Sequence, residues 1–261
     1  MRITLLGTGG PLMPDRAATG MLVTGPGCEP LLIDTCGGME LARQLASVGF
    51  PLADIKNVVV THRHMDHAGG MQALYLATMP LEIHASADSH AGIRAMTAGC
   101  FPEWEQHPGV HNHEVRPGAV SDIGGFRVAF FEAVHRVPTL AVRVTLGAKT
   151  FAFSADTLPC DAVVACARNA DLFLCDAICA KADGARSQKM ALDRMHPVAA
   201  EAAGMAVRAG AGQLACTHVG RFGDPDRILA EAAAIFKGQV TVPKDGARYE
   251  LMQRQIGRAH V

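Results

Sequence analysis

A chain of 261 residues with 24 Lys and Arg against 25 Asp and Glu carries a formal charge of -1, and 49% of it is hydrophobic. That size supports one large domain or two small ones with a sizeable core, and the charge balance excludes a binder held by polyphosphate attraction. Aromatic residues at 5% exclude a base-stacking platform, and no apolar run reaches the roughly 18 residues of a membrane span.

The chain opens with Ile3 to Leu6, a short strand running into the Gly7-Thr8-Gly9-Gly10 turn, with no apolar export core. A cytoplasmic setting is therefore expected, and the eight cysteines read as buried, reduced thiols. Met21 to Thr24 and Leu31 to Asp34 continue as strands, so the first three form a meander. Helical spacing follows over Met39 to Val48, with Leu41, Leu45 and Val48 on one face. Asn57 to Thr61 holds three consecutive valines, which predicts a strand buried on both faces. Gly70 to Met79 is a helix stopped by Pro80. From Leu81 to Gly125 the pattern is irregular and rich in Pro, and it reads as a loop-rich cap whose Phe101 and Trp104 can wall a substrate pocket.

The second half repeats the style. Phe126 to Ala133, Leu140 to Leu146 and Thr150 to Ser154 are strands, the last two joined by the Gly147-Ala148-Lys149 turn. Pro159 to Ala167 is helical, Asp171 to Asp176 a strand, and Pro197 to Ala209 a helix with Pro197 in its first turn. Gln213 to Thr217 is a strand and Pro225 to Phe236 a helix, after which Val240 to Val242 and Arg248 to Met252 close the second sheet. Because the early strands meet without intervening helices, a layered α/β sandwich fits better than a doubly wound sheet. One domain is expected over residues 1–255. Residues 256–261 resemble one translated frame of a sequencing adapter and are set apart from the fold.

The sharpest chemistry lies in Thr61-His62-Arg63-His64-Met65-Asp66-His67, just after the valine strand. Three imidazoles, borderline ligands suited to zinc, fall within six residues with a carboxylate that adds charge compensation. His62 and His64, two apart on extended chain, point to one side; Asp66 and His67 follow a turn and can face a second ion. His135, Asp156 and His218 each follow a predicted strand and complete the set. Gly37 and Gly38 let Asp34 and Cys36 approach this loop from below. The remaining cap histidines, His84, His90, His107, His111 and His113, read as cap or surface positions. No Lys-Ser/Thr follows the N-terminal glycines, so a P-loop is rejected.

The His-x-His-x-Asp-His pattern and the later single ligands resemble the metallo-β-lactamase superfamily over nearly the whole chain to about residue 252. Within it, Leu6-Gly7-Thr8-Gly9 and Ser154-Ala155-Asp156-Thr157 are similar to the ribonuclease Z branch. The resemblance implies a four-layer αβ/βα sandwich with two divalent ions at one edge, zinc first, manganese or iron as alternatives. It assigns His62, His64 and His135 to one ion, Asp66, His67 and His218 to the other, and Asp156 to both. Two ions about 3.5–4 Å apart can share a hydroxide and lower its pKa towards neutrality. Asp66 can also orient that nucleophile. His196, before a predicted helix, pairs by position with Asp176 after a strand, where the branch more often has Glu, and becomes the proton donor to the leaving group.

The ribonuclease Z branch grips tRNA with a protruding arm between its third and fourth ligand motifs. Here His135 and Asp156 are 21 positions apart, enough for a hairpin and no arm. Small phosphodiesters or aryl sulfate esters are therefore the expected substrates. A tRNA 3′ endonuclease, a lactonase and an iron-dependent redox enzyme of the same fold are the alternatives, and the family resemblance implies a homodimer.

Overall fold

Alternating apolar and turn-forming residues at the N-terminus produce the expected antiparallel meander, β1 (Arg2–Gly7), β2 (Gly20–Thr24) and β3 (Leu31–Thr35). This and all that follows is a computed structural model, which describes residues 1–77, 79–104 and 107–252. Helix α1 (Glu40–Ser47) carries the chain to β4 (Asn57–Val60), parallel to β3 and buried along its whole length, as three consecutive valines require. The short helix α2 (Met65–Ala68) and helix α3 (Met71–Ala77) then lead to β5 (Leu81–Ala85). Helix α4 (Ala87–Cys100) and β6 (Val110–Glu114) follow, and β6 is parallel to β5 at the sheet edge.

The second sheet begins with an antiparallel run: β7 (Val120–Ile123), β8 (Phe126–Ala133), β9 (Thr139–Leu146) and β10 (Lys149–Phe153). It continues through parallel crossovers: α5 (Asp161–Cys166), β11 (Leu172–Asp176), α6 (Ala185–Arg194), α7 (Ala199–Ala209), β12 (Gln213–Thr217), α8 (Pro225–Ile235) and β13 (Gln239–Thr241). Finally β14 (Arg248–Glu250) returns to pair with β1. Each sheet has seven strands among the described residues.

Layer order follows from which faces are apolar. Ile3, Leu5, Ile33 and Val59 of the first sheet pack against Phe126, Phe130, Phe151, Phe153 and Leu174 of the second. The outer faces bury Leu32, Val58, Val60 and Ile83 under Leu41, Leu45, Leu74 and Ile93, and Phe173, Cys175 and Leu214 under the alanines of α7. The result is the expected helix–sheet–sheet–helix sandwich.

Four expectations are corrected. Residues 81–125 are not a loop-rich cap: they extend the first sheet by β5 and β6, cover it with α4 and start the second sheet with β7. Burial of Ile93 and Thr97 on the sheet's outer face, with Ser86 accepting from the Ser89 amide at the helix start, outweighs the local Pro and Gly. His84 and His90 are accordingly buried; only His111 and His113 stand exposed, both bonded to Glu82 at 2.7 and 2.6 Å. Arg248 to Met252 does not close the second sheet, because β14 pairs with β1. Pro197 precedes the first turn of α7, whose N-cap is Val198. The thiols are free, but Cys100 is exposed and Cys28 and Cys160 half-buried. The tail at 256–261 lies outside the described residues.

One glycine positions the metal loop. A Cβ on Gly70, between α2 and α3, would lie 1.9 Å from the Thr35 carbonyl oxygen at the end of β3. Neither backbone can yield, because Thr35 also donates its hydroxyl to the His67 carbonyl at 2.8 Å. Gly70→Ala is expected to cost about 2–3 kcal/mol, lowering the melting temperature by roughly 5–10 °C. Calorimetric melting beside wild type measures it, and an unchanged midpoint would show that the approach is soft.

Candidate metal centre

Strand ends deliver the side chains. His62 and His64 follow β4, Asp66 and His67 sit on α2, His135 follows β8, Asp156 follows β10, and His218 follows β12. Asp34, Ala155 and His218 hold φ of 55°, 52° and 57°, a left-handed conformation that non-glycine residues adopt at a cost and that clusters at functional sites.

All seven residues expected from the sequence come together. The nitrogens His62 Nε2 and His64 Nδ1 are 3.0 Å apart, and His135 Nε2 is 3.3 Å from His64 Nδ1. Asp156 Oδ2 lies 3.6 Å from His62 Nε2 and 3.7 Å from His135 Nε2. The same carboxylate reaches the other group, with Oδ1 3.2 Å from His67 Nε2 and Oδ2 3.4 Å from His218 Nε2. Asp66 Oδ2 is 3.3 Å from His218 Nε2 and 3.7 Å from His67 Nε2. Two clusters of ligand atoms thus share Asp156: His62, His64 and His135 on one side, Asp66, His67 and His218 on the other.

Outer contacts aim the rings inwards. His67 Nδ1 donates to Asp34 Oδ2 at 2.8 Å, His135 Nδ1 to the Met195 carbonyl at 3.3 Å, and His62 Nδ1 meets the Thr61 hydroxyl at 3.1 Å. Such partners fix which nitrogen is left to bind a cation. The Gly9–Gly10 turn lies under His218, where a Cβ on Gly10 would come within 3.0 Å of the ring, and the Gly10 amide donates to the Val219 carbonyl.

Electrostatics divide the rings into two kinds. Burial holds His62, His64 and His135 below the ordinary histidine value, His135 at about 4, so these are neutral donors. Burial also opposes charge on His67 and His218, but Asp156, with Asp34 and Asp66 at one and Asp66 and Asp176 at the other, outweighs it. His67 rises well above its ordinary value and His218 to about 9. Burial would raise Asp66 and Asp156; the imidazoles facing them, His67 and His218 foremost, hold both below the usual carboxylate range instead.

A cation fits this donor set. His67 Nε2, Asp156 Oδ1, Asp176 Oδ1 and His218 Nδ1 are buried with no hydrogen-bond partner among the described residues. Buried polar atoms without partners are costly, and divalent metal would satisfy His67 and Asp156 directly.

His196 also arrives as expected, buried, with Nδ1 2.7 Å from Asp176 Oδ2 and Nε2 4.0 Å from Asp156 Oδ2. Its ring stacks on His218 at 4.8 Å. Asp156, Asp176, His196 and His218 themselves form a third cluster of ligand atoms. A cleft of about 400 Å³ opens over the centre, lined by His64, Asp66, His135, Asp156, His196 and His218 with Pro11, Met65, Arg136, Ile178 and Arg194. No described residue from 81–125 lines it, so Phe101 and Trp104 do not form its wall; Trp104 packs under the first sheet's helices.

Asp34 plays a larger part than its sequence position conveyed. It is fully buried, accepts from the Thr61 amide at 2.8 Å and hydroxyl at 2.9 Å, and holds His67. A carboxylate ending the apolar run Leu31-Leu32-Ile33 was the available signal. Asp34→Asn is expected to weaken metal binding by about 10–100-fold, read by competition with a chromogenic chelator. Undiminished affinity would make the contact purely structural.

The geometry agrees with what the chain is similar to. A model described as a β-lactamase superfamily domain matches residues 30–219. The probable metallo-hydrolase YhfI of Bacillus subtilis is 27% identical over 253 residues, 96% of this chain and all of that one. The solved structure of YhfI, described as a metallo-β-lactamase fold protein, covers 95% of this chain and 99% of its own with a TM-score of 0.80. Ribonuclease Z of Mycobacterium bovis is 29% identical over 283 residues, 98% of this chain and all of that one. A diphosphatase of the PhnP family shares the fold at 18% identity, with a TM-score of 0.73 over 96% of this chain and 98% of that one. The chain belongs to the metallo-β-lactamase superfamily, among relatives of the metallo-hydrolase and ribonuclease Z kind.

Proposed function

We propose that this protein is a dinuclear-metal hydrolase of small phosphodiester or sulfate ester substrates. The observation that carries the reading is the pair of ligand clusters sharing Asp156 on the floor of a cleft of about 400 Å³. His62, His64 and His135 would hold one ion, Asp66, His67 and His218 the other, and Asp156 both. Divalent ions, zinc first, would acidify water and offset the negative charge that develops on the attacked centre. Asp66 orients the attacking water within the cleft. His196, fixed through Nδ1 by Asp176, offers a proton from Nε2 to the departing oxygen.

Cleft size favours a small substrate, since such volumes match small-molecule sites. The interval between His135 and Asp156 is filled by β9 and β10, with no arm for a folded RNA. The ribonuclease Z relatives make pre-tRNA the competing substrate. Zinc-loaded protein is assayed on a bis-aryl phosphodiester, a cyclic nucleotide, an aryl sulfate, a lactone and pre-tRNA at physiological salt. A small phospho- or sulfo-ester should give the highest kcat/KM, with elemental analysis finding two zinc per chain. Cleavage of pre-tRNA faster than every small ester, or iron in place of zinc with no ester turned over, would overturn the reading.

A further inference from the structure

The cleft lining outside the ligand clusters is of two kinds. Pro11, Met65 and Ile178 are apolar, and Pro11 and Met65 also line a neighbouring hollow with exposed Leu12 and half-buried Met13. Arg136 and Arg194 are cationic. Among the described residues Arg2, Arg63, Arg116, Lys149, Lys189, Arg208 and Arg227 each pair with a carboxylate away from the cleft. Arg194 has no hydrogen-bond or ion-pair partner among the described residues, and Arg136 meets only the Asp193 carbonyl at the end of α6. That contact, with His135 bonded to the Met195 carbonyl, ties the segment after β8, which carries Arg136, to the C-terminal end of α6, where Arg194 stands.

We infer that Arg136 and Arg194 form an anion subsite for a second phosphate-like group of the substrate, beyond the bond that is cut. This rests on the hydrolase reading of the same cleft. The metal clusters suffice for one anionic centre, so two further guanidiniums at the mouth answer to a second one. A planar guanidinium donates paired N–H bonds to phosphate oxygens, which a phosphate-free ester arm cannot use. The substrate is then a phosphoester carrying another phosphate close by, with its apolar portion against Pro11 and Met65. A diester with two plain aryl arms has no group for the two guanidiniums.

The test titrates zinc-loaded protein with 1,3-propanediol bisphosphate and with propyl phosphate by calorimetry. Neither contains a diester bond, so binding is read without turnover. Wild type should hold the bisphosphate at least about tenfold tighter. Arg136→Ala with Arg194→Ala should erase that margin with zinc content unchanged. Arg194→Ala alone, which breaks no contact within the chain, should lose part of it. In parallel, the preference in kcat/KM for an aryl diester bearing a terminal phosphate over a bis-aryl diester should fall with the margin. A margin that survives in the double variant, or no margin in wild type, overturns the subsite. Failure of the hydrolase reading is separate: neither ester is turned over by wild type, while the arginine-dependent margin remains.

Discussion

Replacing Asp156 with alanine is expected to strip both metal ions and to lower kcat/KM by on the order of 10²–10⁴-fold. The reason is its place between the clusters. Its two oxygens lie within 3.2–3.7 Å of four imidazole nitrogens, those of His62, His67, His135 and His218. Among the described residues no other side chain belongs to both ligand groups. A metal centre supplies several kcal/mol of transition-state stabilisation, and each 1.36 kcal/mol is about tenfold in rate. His62→Ala, by contrast, belongs to one cluster and should weaken one ion more than the other. Elemental analysis after dialysis measures both variants. Two tightly held ions in the Asp156 variant would remove the shared-ligand assignment.

For His196→Ala the expected loss depends on the leaving group. A general acid contributes about 10²–10⁴-fold when the departing oxygen needs a proton. Alkyl esters should therefore slow by that amount, while nitrophenyl esters, whose anions leave unaided, should slow far less. Asp176→Asn should follow the same pattern more weakly, because it removes the charge that orients His196 through a 2.7 Å contact. Metal content decides between two roles for the ring. His196 Nε2 is 4.0 Å from Asp156, close enough for the third ligand cluster. Unchanged zinc with leaving-group-dependent loss supports proton donation; loss of zinc would make His196 a ligand, and equal loss on both ester types would exclude the acid.

Local pattern determined much of this protein from the sequence alone. Three consecutive valines required a strand buried on both faces, and the His62 to His67 run at its end offers four candidate ligands in one short segment. The single candidate ligands His135, Asp156 and His218 were legible because each follows an apolar run, and such runs end at the sheet edge. The sandwich followed from the order of these runs.

What required the tertiary structure was pairing between distant segments. Residues 81–125 resemble a loop locally, yet the free edge of β4 and the exposed outer face of the first sheet give them partners, and burial there exceeds local propensity. Likewise β14 could not be assigned to a sheet by its own three residues; its partner β1 lies at the other end of the chain. The hold of Asp34 on His67, and the bond from Arg136 to the Asp193 carbonyl, join residues 33 and 57 positions apart. No periodicity encodes such contacts, because each depends on how two sheets stack and where their strands stop.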